Sequence, residues 1–355
     1  MAELTLGALG WNEWFASQSS RCLGNDSIAR VAAVDRDQLL LVGTPGFFRA
    51  KLSGKYRHES QAGLERPCVG DWVCVEKSTD DQFGMVHAIF DRQTSLRRKA
   101  PGDSTEYQMI AANVDFVIVV QSCHYDFNLK RLERYLVMVK DGGAIPMILL
   151  TKIDLLAPDV LAAQIGDIRG AGITEPVMTL SNVTKEGIGD LTSVLAPGKT
   201  YCFVGSSGVG KSTIINALMG RDVLQTRVVS GTGEGRHTTV RRELFLLDDG
   251  AMVIDNPGMR EFGVAAAEGG LEAGYADIVA LAAGCRFGDC THTKEPGCAV
   301  LDGLASGRIG AGHYENFVKL GGESEHHHMS RVERRKQDKA FGRFKKFVKN
   351  DLEDG

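Results

Sequence analysis

What this chain lacks narrows its reading first. No run of about 18 apolar residues is present that would cross a bilayer. The start, with Glu3 and Trp11-Asn12-Glu13-Trp14, has neither the basic nor the apolar stretch of an export signal. A cytoplasmic protein with no membrane contact is therefore expected. Of eight cysteines, all but a late cluster are scattered (Cys22, Cys68, Cys74, Cys123, Cys202), which excludes the dense framework of a small secreted protein. Reduced thiols and one metal site fit that pattern better. Net charge is only −4, so the molecule as a whole has no general attraction for nucleic acid.

With 43% hydrophobic residues over 355 positions, there is material for two or three domains with real cores. Segments 28–34, 38–42, 47–50, 71–75 and 84–89 alternate apolar and polar residues between Gly, Pro and Asp. They predict about five short strands in a small barrel, for which an OB-fold is the natural candidate and a generic antiparallel sheet the alternative. From Asn113 the text changes to apolar strands (114–120, 146–150, 201–204, 243–247, 252–254) alternating with helices (129–140, 213–219), a doubly wound α/β pattern. Beyond Leu271 it becomes helical and cysteine-bearing. The expected division is a 1–27 extension, a 28–98 OB-fold RNA-binding domain, a 99–268 α/β domain and a 269–355 helical zinc-binding domain with a basic tail.

The motifs that carry chemistry lie in the middle. Gly205-Ser206-Ser207-Gly208-Val209-Gly210-Lys211-Ser212-Thr213 follows an apolar strand and opens a helix, the spelling and setting of a phosphate loop. Backbone N–H groups there cradle phosphates, Lys211 reaches the β and γ oxygens, and Ser212 ligates Mg²⁺. Asp255-Asn256-Pro257-Gly258 reads as the DxxG element, with Asp255 in the outer Mg²⁺ shell and the Gly258 N–H near the γ-phosphate. Thr151-Lys152-Ile153-Asp154 supplies a carboxylate able to accept two guanine N–H groups, although Thr stands where Asn is common. Ser181-Asn182 follows at the spacing of the weak fifth motif. In an ordinary GTPase the phosphate loop comes first and the base reader last; here the base reader leads, which is the order of a circular permutation.

Met259 occupies the position after DxxG where many GTPases carry a water-orienting glutamine, and a thioether cannot do that work. His237, in the glycine-rich segment 231–239, is the best candidate inside the chain to act on water, the alternative being an exposed loop histidine. Thr238 or Thr239 of the same segment is expected to complete the Mg²⁺ shell when GTP is bound. Cys285-x4-Cys290-x-His292-x5-Cys298 offers three thiolates and an imidazole, a closed set suited to one structural Zn²⁺, with buried free cysteines as the bland alternative. His326-His327-His328 reads as a solvated polar loop after Gly321-Gly322. Between Arg331 and Lys349 nine basic residues face Glu333 and Asp338, and Phe341, Phe344 and Val348 recur at helical spacing, so the tail is either a phosphate-facing or a merely solvated basic helix.

Together the rotated TKID, GSSGVGKST and DNPG, the GRHTT segment and the cysteine–histidine set resemble the RsgA (YjeQ) family of ribosome small-subunit-dependent GTPases over nearly the whole chain. Arg92-Gln93-Thr94-Ser95-Leu96-Arg97-Arg98 is similar to that family's link between barrel and GTPase domain. The resemblance implies an N-terminal OB-fold, a central circularly permuted P-loop GTPase and a C-terminal zinc domain. It implies binding to the small ribosomal subunit and its rRNA as a monomer, late in subunit maturation. It also implies hydrolysis of GTP to GDP and phosphate, stimulated by the subunit and followed by release, with His237 as the hydrolytic residue. The rival reading is a permuted GTPase acting on the large subunit or on tRNA.

Overall fold

Alternation in the first ninety residues resolves into a barrel. The computed structural model describes residues 4–24, 26–35, 38–44, 46–54, 56, 64–77, 83–99, 107–222, 224, 241–256 and 268–328. A short helix α1 (Glu13–Ala16) precedes β1 (Ser27–Val34), β2 (Leu39–Gly43), β3 (Gly46–Leu52), β4 (Trp72–Lys77) and β5 (Phe83–Ile89). These strands pair in the order β1-β2-β3-β5-β4, and β4 returns to β1. The β3–β5 contact is parallel and the others antiparallel. Closure removes the open-sheet alternative and gives an OB-type barrel. Ala29, Val31, Leu41, Ala50, Val73, Val75 and Val86 point inward to form its core.

The segment before β1 is part of the packed structure. Leu9 and Phe15 are buried, and Trp11 lies edge-on to Trp72 and Phe90 at 4.9 and 5.0 Å between centroids. Cys22 is bonded to Cys74 on β4, with Cα atoms 5.3 Å apart, which corrects the expectation of reduced thiols at that pair. The bridge joins residues 52 positions apart, so spacing alone could not reveal it. The stretch between barrel and α/β sheet contributes β6 (Ser95–Lys99), which pairs antiparallel with β7 (Tyr107–Ala112).

A second sheet unit follows. β8 (Phe116–Ser122), β9 (Ile145–Thr151), β10 (Val177–Leu180), β11 (Thr200–Val204), β12 (Glu243–Leu246) and β13 (Met252–Asp255) lie in the order β10-β9-β8-β11-β13-β12, all parallel except β12. Helices α2 (Leu129–Asp141), α3 (Pro158–Gly170), α4 (Ile188–Ser193) and α5 (Lys211–Met219) are interleaved. Burial on both faces explains why β8, β9 and β11 read as continuous apolar runs. The pair Ala33↔Glu243 joins β1 to β12, so barrel and α/β sheet are continuous.

Four helices complete the described chain: α6 (Glu268–Gly274), α7 (Ala276–Ala282), α8 (Ala299–Ala305) and α9 (Ala311–His328). Residues 321–328 belong to α9, which corrects the expected loop; two glycines weaken a helix, but buried Leu320 and the packed Tyr314 and Phe317 anchor it. The 331–349 tail lies outside the described residues.

The C-terminal helices seat on α2 through buried charge. His313 Nδ1 meets Glu133 Oε1 at 2.5 Å, its Nε2 meets Asp277 Oδ1 at 3.2 Å, and Asn316 Nδ2 donates to Glu133 Oε2 at 2.6 Å and to the Tyr275 hydroxyl at 2.8 Å. Glu133 and His313 side chains are only 4% and 6% exposed. Burial works against the imidazolium, but Asp277 and Glu133 outweigh it and raise His313 to about 9. Because the folded value lies above the unfolded one near 6.5, its stabilisation is complete below that pH and is lost as pH rises through about 9. Thermal unfolding between pH 6 and 10 should therefore show a steeper alkaline decline for the natural chain than for His313→Gln. Parallel curves would show that the imidazolium contributes nothing to seating.

Candidate nucleotide and metal sites

The separated motifs converge because each ends a parallel strand. Thr151 closes β9, Ser181 follows β10, Gly205 follows β11 and Asp255 closes β13. In the sheet register Thr151 lies beside Ser122 and Leu180, and Asp255 beside Phe203. Ligand sites of open α/β sheets form at such carboxyl ends, where strand order reverses. β11 sits between β8 and β13, so its loop occupies that crevice.

Gly205, at φ 147°, lies against β8, where an added Cβ would stand 2.2 Å from the Val120 carbonyl oxygen. Gly210, at φ 101°, leaves 2.6 Å between such a Cβ and Asn182 Nδ2. Both positions demand glycine. Ser206, Ser207 and Gly208 form the turn between them, Val209 is buried beneath it, and Ser212 and Thr213 lie in the first turn of α5. Lys211 is buried, and its ammonium donates to the Gly205 and Ser206 carbonyls at 2.7 Å each. Burial lowers it to about 8, against the pull of Asp255 and Asp126.

The 151–154 loop is fastened to the 205–210 loop by a hydroxyl. Thr151 Oγ1 donates to the Val209 carbonyl at 2.7 Å and lies 3.3 Å from that of Gln121. The threonine thus bridges the two loops itself. Lys152 takes the left-handed conformation, φ 61°, an uncommon backbone for a side-chain-bearing residue. Ile153 is buried below it. Asp154 Oδ1 accepts from Ser181 Oγ at 2.5 Å, while the same Oγ accepts the Val183 and Thr184 N–H groups at 3.1 and 3.0 Å. Ser181 therefore holds one edge of the carboxylate. Asn182 Nδ2 lies 3.5 Å from the Gly210 carbonyl, and its Oδ1 is buried without a partner.

Asp255 is buried, and burial, opposed by Lys211, pushes its carboxyl up to about 6. Its Oδ1 has no hydrogen-bond partner among the described residues. A buried, unpartnered carboxylate oxygen near the loop that carries Ser212 fits a hard cation that takes oxygen ligands. Gly258, Met259, His237, Thr238 and Thr239 lie outside the described residues.

Sequence reading missed the contribution of α2. Tyr135 is buried on this helix, and burial, opposed by Arg131, pushes its phenol up to about 12. On the same helical face Arg131 pairs with Asp126 at 2.8 Å, and Asp126 acts electrostatically on Lys211. The helical period of 129–140 is visible in the sequence, but nothing in it marks Glu133 as meeting His313, 180 residues later.

Cys285, Cys290, His292 and Cys298 come together with all four ligand atoms within 4.8 Å of one another. His292 Nδ1 is 3.5 Å from both Cys285 Sγ and Cys298 Sγ, and these sulfurs are 3.8 Å apart. Ligands on a tetrahedron about Zn²⁺, at about 2.3 Å for sulfur and about 2.0 Å for nitrogen, stand roughly 3.8 and roughly 3.5 Å apart. The cluster is thus able to hold one zinc ion. Its backbone is shaped for this by His292 at φ 60°, whose carbonyl accepts the Tyr314 hydroxyl at 2.7 Å. Glu295 accepts the Thr291, Thr293 and Lys294 N–H groups at 3.0–3.1 Å, fixing the intervening turn.

Residues 89–265 match the family model described as RsgA GTPase. The chain is 39% identical to "Small ribosomal subunit biogenesis GTPase RsgA 2" of Lactiplantibacillus plantarum, covering 89% of each protein. It is 41% identical to the protein of that name from Listeria monocytogenes, over 91% of this chain and 90% of the other. Among solved structures, YjeQ from Thermotoga maritima superposes with a TM-score of 0.63 at 24% identity, covering 84% of this chain and 98% of that one. YloQ, described as a circularly permuted GTPase, gives 0.61 at 24% identity, covering 86% and 97%. The rotated motifs, their convergence on one crevice and these relatives place the chain in the RsgA GTPase family, as a GTP hydrolase.

Proposed function

We propose that this protein is a cytoplasmic, monomeric GTPase that binds the small ribosomal subunit and its rRNA late in maturation, turns over GTP when stimulated by the subunit, and leaves after hydrolysis. What supports this reading most is the rotated order of the motif loops on one α/β sheet in a chain that also carries an OB-type barrel and a Cys₃His cluster. Relatives across 89% of the chain bear the name of small-subunit biogenesis GTPases. On this reading the 28–98 unit meets RNA, 99–268 carries GTP, and 269–355 carries zinc and the basic tail behind a 1–27 extension. The barrel offers a suitable face: Phe47, Arg49 and Lys51 are exposed along β3, beside Phe83 and Met85 on β5. Lys51 Nζ lies 5.1 Å from the Phe83 ring centroid. Aromatic faces and cations interleaved on a barrel suit single-stranded RNA.

In the crevice, Gly205 to Thr213 cradle the phosphates, and the Lys211 ammonium exchanges its loop carbonyls for phosphate oxygens. Thr151 keeps the base loop in register, Asp154 accepts the guanine N–H pair with Ser181 holding its carboxylate edge, and Lys152 and Ile153 complete that wall. Asn182 braces Gly210. Ser212, Asp255 and one of Thr238 and Thr239 hold Mg²⁺, which supplies neutralisation of phosphate charge when bound. Met259 cannot orient water, so His237 is assigned that role, with the Gly258 N–H at the γ-phosphate.

GTP hydrolysis should be slow alone and accelerated by purified small subunits; equal acceleration by large subunits would favour the rival target. His237→Ala should retain nucleotide and subunit binding yet lose ~10²–10⁴-fold in stimulated single-turnover rate, the usual worth of a positioned acid–base group. Normal turnover of that variant would make the histidine structural. Asp154→Asn should lose preference for GTP over other nucleoside triphosphates in competition binding, whereas unchanged selectivity would remove the base-reading assignment. Chelating zinc should lower the unfolding temperature of the C-terminal helices, because Cys285, Cys290 and Cys298 also sit in their apolar core. An unchanged melt after verified metal loss would contradict a structural zinc.

A further inference from the structure

Residues 4–22 form a strap across one outer face of the barrel, and the end of the strap is joined to β4 through sulfur. Alternation along β4 turns Val73 and Val75 into the barrel core, so Trp72 and Cys74 face the other way, in one cluster with Leu9, Phe15 and Phe90. Cys74 is fully buried there, whereas Cys22 is only half-buried. Their bond links positions 52 residues apart.

The strap does not depend on that bond to find its seat. Leu9 and Phe15 are buried, and the Leu9 carbonyl accepts from Arg30 Nη1 at 2.7 Å. Gln18 Oε1 accepts the Asp91 N–H at 2.8 Å. Arg21, next to Cys22, pairs with Asp91 at 2.5 Å and donates to the Ile89 carbonyl at 3.3 Å. With these contacts in place Cys22 and Cys74 stay neighbours when reduced, so their bond can break and re-form without unfolding. The remaining thiols are poor competitors for that chemistry, because the thiolate is the reactive form. Burial pushes Cys123 up to about 11, Cys202 up to about 12 and Cys68 well above the ordinary thiol value. Cys285, Cys290 and Cys298 belong to the metal cluster.

We propose that Cys22 and Cys74 form a reversible thiol–disulfide site that exchanges with low-molecular-weight disulfides such as glutathione disulfide and, when oxidised, clamps the strap to the barrel. The Cys22 thiolate attacks one sulfur of glutathione disulfide, forming a mixed disulfide and releasing a glutathione thiolate, which takes up the proton that left Cys22. Cys74 then attacks the Cys22 sulfur, forming the protein disulfide and expelling the second glutathione, which carries away the Cys74 proton. Two protein thiols are oxidised and one glutathione disulfide is reduced to two glutathiones, a transfer of two electrons and two protons. Reduction runs the same steps backwards and begins at Cys22, the less buried sulfur. The inference rests on the reading of the protein as cytoplasmic, since in a reducing compartment such a bond is a switch and not a permanent staple.

The test equilibrates the full-length, zinc-loaded protein in glutathione buffers from fully reduced to fully oxidised, then reads alkylation of Cys22 and Cys74 by peptide mass spectrometry. Both residues should pass together from alkylated to protected within that range. Bonding in every buffer, or alkylation in every buffer, would overturn the proposal. Trypsin should cut after Arg21 at least about 10-fold faster in the reduced protein, a modest share of what a bridge usually contributes. Closing a loop of this length should also raise the unfolding temperature of the oxidised form by several degrees. Cys22→Ser should match the reduced protein in every buffer. If it resists trypsin as well as the oxidised natural chain does, the bond does not hold the strap and the clamp is wrong. Where Cys22→Ser does not fold, the natural chain held in excess reduced glutathione takes its place under the same criterion. Finding the protein outside the cytoplasm would defeat the compartment reading alone; a cytoplasmic protein whose pair does not titrate would defeat the redox site.

Discussion

A single guanidinium holds three stretches of this chain in one arrangement. Arg30, on β1, is buried and donates through Nε to the Gly70 carbonyl at 3.1 Å, through Nη1 to the Leu9 carbonyl and Thr200 Oγ1 at 2.7 and 2.9 Å, and through Nη2 to the Asn113 carbonyl at 2.6 Å. Those partners belong to the N-terminal segment, the barrel and the α/β sheet. Burial lowers the group only to about 10, with Asp115 and Asp71 opposing the shift, so it stays a cation. Lysine could not replace it: one ammonium lacks the planar fork that reaches four directions at once. The barrel is thereby locked to the base of the sheet whose opposite ends carry the nucleotide loops.

With the barrel fixed there, the permutation has a mechanical meaning. In chain order the base reader precedes the phosphate loop by more than fifty residues, yet the Thr151 hydroxyl ties it to Val209 as closely as a backbone bond would. The geometry of the crevice is therefore indifferent to where the chain was cut, while its exits are not. After Asp255 the chain passes through the DxxG element and reaches α6 within thirteen residues. α6 packs on α2, with no room for a Cβ at Gly270 or Gly274. The cut thus leaves only a short connection between Asp255 and the helices that lead into the Cys₃His cluster.

What could be read from the sequence was local. Alternation located all five barrel strands, and apolar runs located β8, β9 and β11, because burial on one or both faces imposes its own period. The phosphate loop and the metal cluster were legible because their chemistry fixes residue type and spacing. The β6–β7 hairpin was not, nor was α3, whose apolar face is weak enough that only Ile168 is buried in it. Trp11, Phe15 and Cys22 gave no sign that they close over the barrel, since their partners Trp72, Phe90 and Cys74 come at least fifty residues later. The same is true of Glu133 and His313, whose sequence separation is 180. Long-range pairs of ordinary residues leave no periodic trace.

Buried polar groups are matched at several points that hold the fold together, and unmatched ones collect at the strand ends that carry the motifs as well as at Trp72, Arg97 and Gln164. The Arg30 guanidinium finds acceptors within the protein, although the Trp72 Nε1 beneath it does not among the described residues, and Glu133 and Arg92 are matched, the latter by two bonds of 2.7 Å to Asp71. At the strand ends the matching does not close: among the described residues Asp255 Oδ1 and Asn182 Oδ1 are buried without partners, and so are Asp126 Oδ2 and Arg131 Nε. Leaving such groups unmade costs stability in a closed fold. Lys211 and Asp255 are displaced toward their neutral forms by the same burial. Each also opposes the other's shift, so the lysine and the carboxylate hold one another's charge at the strand ends where these unpartnered atoms collect.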